Sequence, residues 1–188
     1  MPKASIARHL EIFHDAGLDP SALDLDVCAA FNALRHAGAI DAERPQLLLH
    51  GTPKFTKLML IDQGKPRSIR TIRFSLDAPA QDAPVPAAGS SLVEILSREI
   101  SRLLLADAAG SSPAHLLLSG EFEDPGIARD LEAATQIPVK MFDLAAAIDP
   151  SFAKEGPRPP RLGAALGLAL KGAGIDALGM DFRQDEFR

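Results

Sequence analysis

The sequence predicts an α/β protein built on a mixed five-stranded sheet with flanking helices. Three short apolar segments between residues 46 and 76 are separated only by turns, which is typical of an antiparallel meander. Further along, apolar strand patterns alternate with helical patterns, which is typical of parallel strands joined by helices. The clearest such unit is continuously apolar over residues 116–118, breaks at Ser119-Gly120 and resumes as a helix at Pro125.

The composition of the 188-residue chain limits the classes of function. The net charge is −5, and the four cations within residues 65–73 alternate with other residues as on the solvent face of a strand, so we expect no nucleic-acid partner. Cys28 is the only cysteine, which excludes a disulfide within the chain, and its apolar neighbours predict a buried thiol. No apolar run reaches about 18 residues, so membrane attachment would need a segment outside this sequence.

The first 45 residues are predicted to contain two helices. Apolar residues at helical spacing favour a helix over 4–16, which Gly17 can end, and another over 27–36. Between these helices, residues 23–26 alternate briefly like a strand.

The predicted sheet begins at residue 46. Short apolar or alternating segments predict three antiparallel strands over residues 46–50, 55–62 and 68–76, with turns at 51–54 and 63–66. Residues 77–89 are rich in Ala, Pro and Asp and are typical of a flexible loop.

The second half alternates helices and strands. Ser90-Ser91 can cap a strongly amphipathic helix, whose apolar stripe from Leu92 to Leu105 is predicted to belong to the core. Asp124 suits an N-cap and Pro125 the first position of the next helix. The predicted helices cover 92–106, 125–135 and 161–171, the strands cover 116–118 and 138–142, and residues 143–160 form an irregular connection.

This order of elements is the layout of a ribonuclease H-like half-domain. Nucleases of that fold hold metal ions with clustered carboxylates on their first strands. The first strand here ends in His50, where an acidic residue would be expected, so a nuclease is not predicted. The remaining histidines are His9, His14, His36 and His115. Their spacing is not that of metal ligands, and no candidate serine nucleophile lies beside any of them.

Several motifs resemble the closing half of actin-like ATPase-fold proteins. The strand and turn of 116–120, Pro125-Gly126 and Ile137-Pro138-Val139 are similar to the pilus-assembly protein M family and its relative, general secretion pathway protein L. Residues 180–187 resemble the end of the cytoplasmic part of secretion protein L. The resemblance implies that the chain is the second half of a larger protein. Residues 1–45 would end a preceding actin-like subdomain, and 46–188 would form a ribonuclease H-like subdomain with a flexible loop at 77–89.

The resemblance also identifies a degenerate nucleotide site. ATP-binding relatives carry Asp-Ile-Gly and small hydroxyl residues in the first hairpin, and two glycines in the adenosine turn. Here His50 replaces the carboxylate before Gly51 and Thr52, and Gly120 is followed by Glu121, which adds bulk and repels phosphate. We therefore expect no bound nucleotide, no metal and no catalytic residue at this site.

The implied function is a non-enzymatic scaffold at the cytoplasmic face of the bacterial inner membrane. It would bind the cytoplasmic ATPase of a type II secretion or type IV pilus system and couple it to other inner-membrane platform proteins, with a homodimer left open. The alternative is an actin-like protein that assembles through bound ATP, held by Gly51, Thr52 and Gly120.

Overall fold

A computed structural model of the chain describes residues 3–52, 55–72, 91–107, 110, 112–122, 125–141 and 162–183. The strands are β1 (Gln46–Gly51), β2 (Thr56–Asp62), β3 (Lys65–Ile72), β4 (Leu116–Gly120) and β5 (Val139–Met141). They form one sheet in the order β3-β2-β1-β4-β5. The first three strands are antiparallel neighbours, and β4 runs parallel to both β1 and β5. The predicted mixed five-stranded sheet is therefore confirmed.

The helices cover the two faces of this sheet. They are α1 (Lys3–Asp15), α2 (Asp26–His36), α3 (Leu92–Ala106), α4 (Pro125–Thr135) and α5 (Leu162–Gly172). Because successive strand residues point to opposite faces, the all-leucine middle segments of β1 and β4 supply both cores. Leu47 and Leu49 pack with residues of α3 and α4, whereas Leu48 packs with residues of α2 and α5.

The start of α3 shows how local sequence fixes one of these helices. Ser91 is the N-cap, its hydroxyl accepts a hydrogen bond from the Glu94 amide at 3.2 Å, and the Glu94 carboxylate accepts from the Ser91 amide. This reciprocal capping box satisfies two amides that the first turn leaves unpaired. Leu96, Ile100 and Leu103 then face the core, as predicted.

Helices α2 and α5 cross at very close range. A β-carbon on Gly167 of α5 would lie 1.7 Å from the carbonyl oxygen of Ala29 in α2. Beside this contact, the side-chain amide of the buried Asn32 donates to the carbonyl oxygens of Gly167 at 3.1 Å and Ile175 at 2.8 Å. Glycine at position 167 therefore permits the close contact between α5 and α2.

The β2–β3 connection corrects the predicted hairpin. The turn is Gln63-Gly64 alone, both with positive φ (51° and 67°), and not the four residues 63–66. Strand β3 consequently starts at Lys65, three residues before the predicted start. Pro66 pairs with Ile61 next to a register shift in the edge strand pair. An edge strand tolerates proline at such a place because the missing N–H has no ladder partner to lose.

Two further predictions need correction. Residues 23–26 form no strand, because Leu23 bonds to the C-terminal segment instead of to a sheet. The amphipathic stripe of α3 does not extend to Leu105, which is 87% exposed. The helix predicted over 4–16 is confirmed as α1, in which only Ile6 is buried.

Some predictions fall outside the described residues. They concern the loop at 77–89, the connection at 143–160, the N-cap Asp124 and the ends of the predicted strands at 73–76 and 142. The boundary at residue 45 stays a prediction. Helix α2, which precedes that boundary, shares its core with the sheet that follows. No helix in the described part of the chain is both long and apolar enough to cross a membrane.

Candidate functional site

The candidate site lies where the parallel strands β1 and β4 end side by side. His50 is paired with Ser119, and Gly51 with Gly120. Thr52 and Glu121 follow directly at the two strand ends. The fold thus brings together all five residues that the sequence singled out, at the carboxyl edge of a parallel strand pair, where α/β proteins commonly bind ligands.

The two glycines touch through their backbones. A β-carbon on Gly120 would lie 1.9 Å from the Gly51 carbonyl oxygen, and Gly120 has a φ of +84°. The same Gly51 oxygen accepts a hydrogen bond from the Glu121 amide at 3.0 Å. Glycine is required at 120 for both reasons, since a side chain would meet backbone atoms and a left-handed φ is costly for other residues.

The Thr52 hydroxyl is used within its own loop. It donates to the Phe55 carbonyl oxygen at 2.7 Å and accepts from the Phe55 amide at 3.1 Å. The Thr52 amide also donates to the Phe55 carbonyl oxygen at 2.8 Å. Because these bonds join Thr52 to Phe55, the hydroxyl would have to leave Phe55 before it could bind a phosphate oxygen.

His50 belongs to a polar cluster beneath the site. Its Nδ1 lies 3.2 Å from the Ser119 Oγ, and both residues are buried. Lys57 of β2 is the cross-strand neighbour of His50 and forms an ion pair with Asp26, the first residue of α2. Sheet pleating directs His50, Ser119 and Lys57 to the face covered by α2 and α5.

This cluster favours a neutral imidazole. Burial lowers the pKa of His50 below its ordinary value, Asp26 opposes this in part, and Lys57 lowers the pKa further. A neutral imidazole supplies no negative charge for a hard cation such as Mg²⁺, which prefers carboxylate oxygens and water. Within the described residues, no group of three His, Cys, Asp or Glu side chains is arranged to hold a metal ion.

One hydroxyl at the site has no hydrogen-bond partner among the described residues. Thr56, opposite Gly51 on β2, is fully buried, and its Oγ1 has no hydrogen-bond partner among the described residues. By the alternation of β2, it points to the face covered by α3 and α4, away from His50. Phe122, two residues after Gly120, fills the same core and is fully buried.

Comparison with solved structures identifies the fold. A chain of the PilM-PilN type IV pilus biogenesis complex matches with a TM-score of 0.68 and 25% sequence identity, over 89% of this chain and 57% of that chain. The chain has the actin-like fold of PilM. The resemblance inferred from the strand-turn-helix motif is therefore confirmed at the level of the fold.

The matches cover only part of each solved chain. The present chain spans 57% of the PilM-complex chain that it matches. The ethanolamine utilization protein EutJ from Carboxydothermus hydrogenoformans matches with a TM-score of 0.48 and 14% identity, over 85% of this chain and 58% of that chain. No protein-family model and no curated protein matches the sequence.

Within this PilM-like fold, sequence reasoning missed three members of the polar cluster. Asp26 and Lys57 carry no motif, and they are 31 positions apart in the chain. Ser119 was noticed as part of the turn, but its contact with His50 depends on strand pairing over 69 positions. The one available signal was the unusual position of His50 at the end of an apolar strand.

Proposed function

We propose that the chain is a non-catalytic scaffold domain of a bacterial inner-membrane platform, in a type IV pilus or a type II secretion system. The observation that carries this proposal is the similarity to PilM over 89% of the chain. PilM occurs there in a complex with a second protein, PilN. By analogy, this domain would bind a membrane-platform partner from the cytoplasmic side and the cytoplasmic ATPase of the same system.

Two features of the strand-end site support a role without catalysis. His50 is buried, and burial lowers its pKa and so favours the neutral imidazole, where ATP-binding relatives carry a metal-bound carboxylate. Glu121 adds a carboxylate next to the backbone amide that bonds to Gly51. A negative charge and a missing metal ligand both act against Mg-ATP, whose phosphates need positive charge or backbone amides.

The scaffold proposal is tested by direct binding measurements. The full-length protein containing this chain would be immobilised, and the cytoplasmic part of the platform partner and the cytoplasmic ATPase from the same organism would each be passed over it. We expect saturable binding of both proteins, unchanged by Mg-ATP. Failure of both to bind at micromolar concentration would overturn the scaffold role.

The alternative, an actin-like protein that assembles through bound ATP, rests on one specific observation. Gly51 and Gly120 lie side by side at the two strand ends, where the resemblance to ATP-binding relatives would place the nucleotide. Titration calorimetry with Mg-ATP separates the two hypotheses. The scaffold proposal expects no heat from the unmodified protein, whereas the alternative expects micromolar binding.

The double variant His50→Asp with Glu121→Gly sharpens this comparison. If the site has decayed from an ATP-binding ancestor, the variant gains affinity for Mg-ATP by a large factor. If the site binds ATP already, the two substitutions leave the affinity nearly unchanged. Circular dichroism on both proteins controls for loss of the fold.

A further inference from the structure

The segment after α5, residues 173–183, is here named the strap. It runs back across residues 19–25, which are named the anchor segment. The Phe182 amide donates to the Leu23 carbonyl oxygen at 2.9 Å, and the Leu23 amide donates to Asp181 Oδ1 at 3.0 Å. Leu23 therefore has its backbone donor and its acceptor engaged by the strap.

A lysine at the end of α5 joins the strap to the anchor segment. Lys171 Nζ lies 2.9 Å from Asp24 Oδ2 and 3.3 Å from Asp176 Oδ2, and it donates to the Met180 carbonyl oxygen. The side chains of Lys171 and Asp24 are only 12% and 6% exposed. Separating Lys171 from Asp24 alone would leave a shielded charge without its partner, so the strap and the anchor segment are coupled to each other.

Two further residues fasten the strap at its ends. The Asn32 side chain donates to the Ile175 carbonyl oxygen at 2.8 Å and accepts from the Ala177 amide at 2.9 Å. At the other end, Arg183 lies 2.6 Å from Asp19 Oδ1 and donates to the Pro20 carbonyl oxygen. The strap is thus attached mainly through polar contacts.

The strap buries little of its own surface. All of its residues are exposed or half-buried, and Ala177, Leu178 and Met180 are the strap side chains that pack against the core under α2. Segments with few buried apolar contacts open at lower free energy than the core to which they are attached.

We propose that the strap and the anchor segment form a releasable unit that opens as one, while the five-stranded sheet stays folded. The anchor segment leads directly into Asp26, whose ion pair with Lys57 lies beside His50. Opening of the strap therefore loosens Asp26 and changes the surroundings of His50. Phe182 also forms a wall of a groove of about 250 Å³ lined by Ile6, Leu25 and Lys57, and opening widens this groove.

Hydrogen exchange in the full-length protein, read by mass spectrometry, tests the unit. At low denaturant we expect peptides from the anchor segment (19–25) and the strap (173–183) to exchange with one common opening free energy, below that of β1, β4 and α3. In the double variant Asp181→Ala with Arg183→Ala, both segments should exchange about tenfold faster, because charged hydrogen bonds are lost. Peptides of the sheet should be unchanged.

The matched control is Arg67→Ala on β3, which likewise removes an ion-paired arginine, here one that lies beside Asp62 and Asp107. It should leave exchange in the strap and the anchor segment unaltered. The proposal is overturned if the two segments open with different free energies, if both open only on global unfolding, or if the double variant accelerates the strap alone.

A separate measurement tests whether opening of the strap affects the strand-end site. The imidazole signals of His50 in nuclear magnetic resonance spectra should shift in the double variant and not in Arg67→Ala. Unchanged His50 signals, with the strap shown to open, would refute the coupling. None of these outcomes depends on the pilus or secretion assignment.

Discussion

Gly120 and Gly51 are in backbone contact across the parallel strand pair, with 1.9 Å between the Gly51 carbonyl oxygen and the position of a β-carbon at residue 120. A left-handed residue at the end of β4 thus lies directly against the end of β1. Neither strand end can move away without breaking the hydrogen bond from the Glu121 amide to Gly51. The geometry of the candidate site is therefore set by the backbone.

Gly120→Ala should destabilise the protein strongly. The new methyl group meets backbone that cannot rotate away, and the positive φ adds strain, so we expect a loss of about 4 kcal/mol in the free energy of unfolding. Gly17→Ala is the control, since Gly17 has a similar φ of +71° with nothing within 4 Å. It should lose only about 1 kcal/mol. Urea unfolding of both variants measures the difference, and equal losses would contradict the backbone contact.

Gly167→Ala should separate α2 from α5. The methyl group would collide with the Ala29 backbone, and we expect a loss of about 3 kcal/mol or failure to fold. Gly172→Ala, at the open end of the same helix, has nothing within 4 Å and should gain a few tenths of a kcal/mol to about 1 kcal/mol from helix propensity. Thermal unfolding followed by circular dichroism compares the two. A tolerated Gly167→Ala would show that the helices cross at a larger distance.

Thr56→Val should stabilise the protein. The Thr56 hydroxyl is buried without a hydrogen-bond partner among the described residues, so its replacement by a methyl group removes a desolvated polar atom at constant shape. We expect a gain of about 1 kcal/mol. Thr135→Val is the control, because that hydroxyl donates to the Leu131 carbonyl oxygen at 2.7 Å, and its loss should destabilise by about 1 kcal/mol. Opposite signs in urea unfolding are the expected result.

Stability should fall as the pH drops below the ordinary histidine value. Burial lowers the pKa of His50 and of His115 in the folded protein, so the unfolded chain binds these protons first as pH decreases. His50 then removes up to about 1.4 kcal/mol per pH unit, from about pH 6.5 down to its folded pKa, and His115 acts in the same direction. Urea unfolding at a series of pH values measures this slope. In His50→Asn the slope should be smaller, and an unchanged slope would show that His50 titrates normally.

Cys28 should be inert in the folded protein. Burial, reinforced by the charges of Asp24 and Asp26, raises the pKa of the thiol to about 12. Because the thiolate is the reactive species, reaction with a colourimetric disulfide reagent at about pH 8 should be at least about a hundredfold slower than in denaturant. Rapid reaction of the native protein would mean that α2 opens readily.

The sheet and most helices could be predicted because their signals are local. Ser91 with Glu94 marks the start of α3, and Pro125 marks the start of α4, where the structure also begins it. The hairpin was misplaced because Lys65-Pro66 resembles a turn, and only the paired geometry shows that a two-residue turn suffices. Periodicity in α1 likewise does not reveal that Ile12 is 59% exposed and that no element in the described part of the chain covers it.

The candidate site was predictable in its backbone and not in its side-chain partners. Gly51 and Gly120 are visible as strand-ending glycines, so their convergence follows from two parallel neighbours. The partners of His50 do not follow, because Ser119 and Lys57 come from different strands and Asp26 from a helix. The same applies to Asn32, whose hydrogen bonds reach residues 135 to 145 positions away.

The leucine runs of β1 and β4 do not by themselves fix how the two strands align. Leu47 to Leu49 lie opposite Leu116 to Leu118, so a slip of one residue would keep leucine on both faces and cost little apolar burial. The polar pairs at the two ends remove this ambiguity. Gln46 contacts His115 at one end, and His50 contacts Ser119 at the other. A slipped alignment would bury these groups unpaired, at about 1–3 kcal/mol each, so the polar side chains select the one alignment that folds.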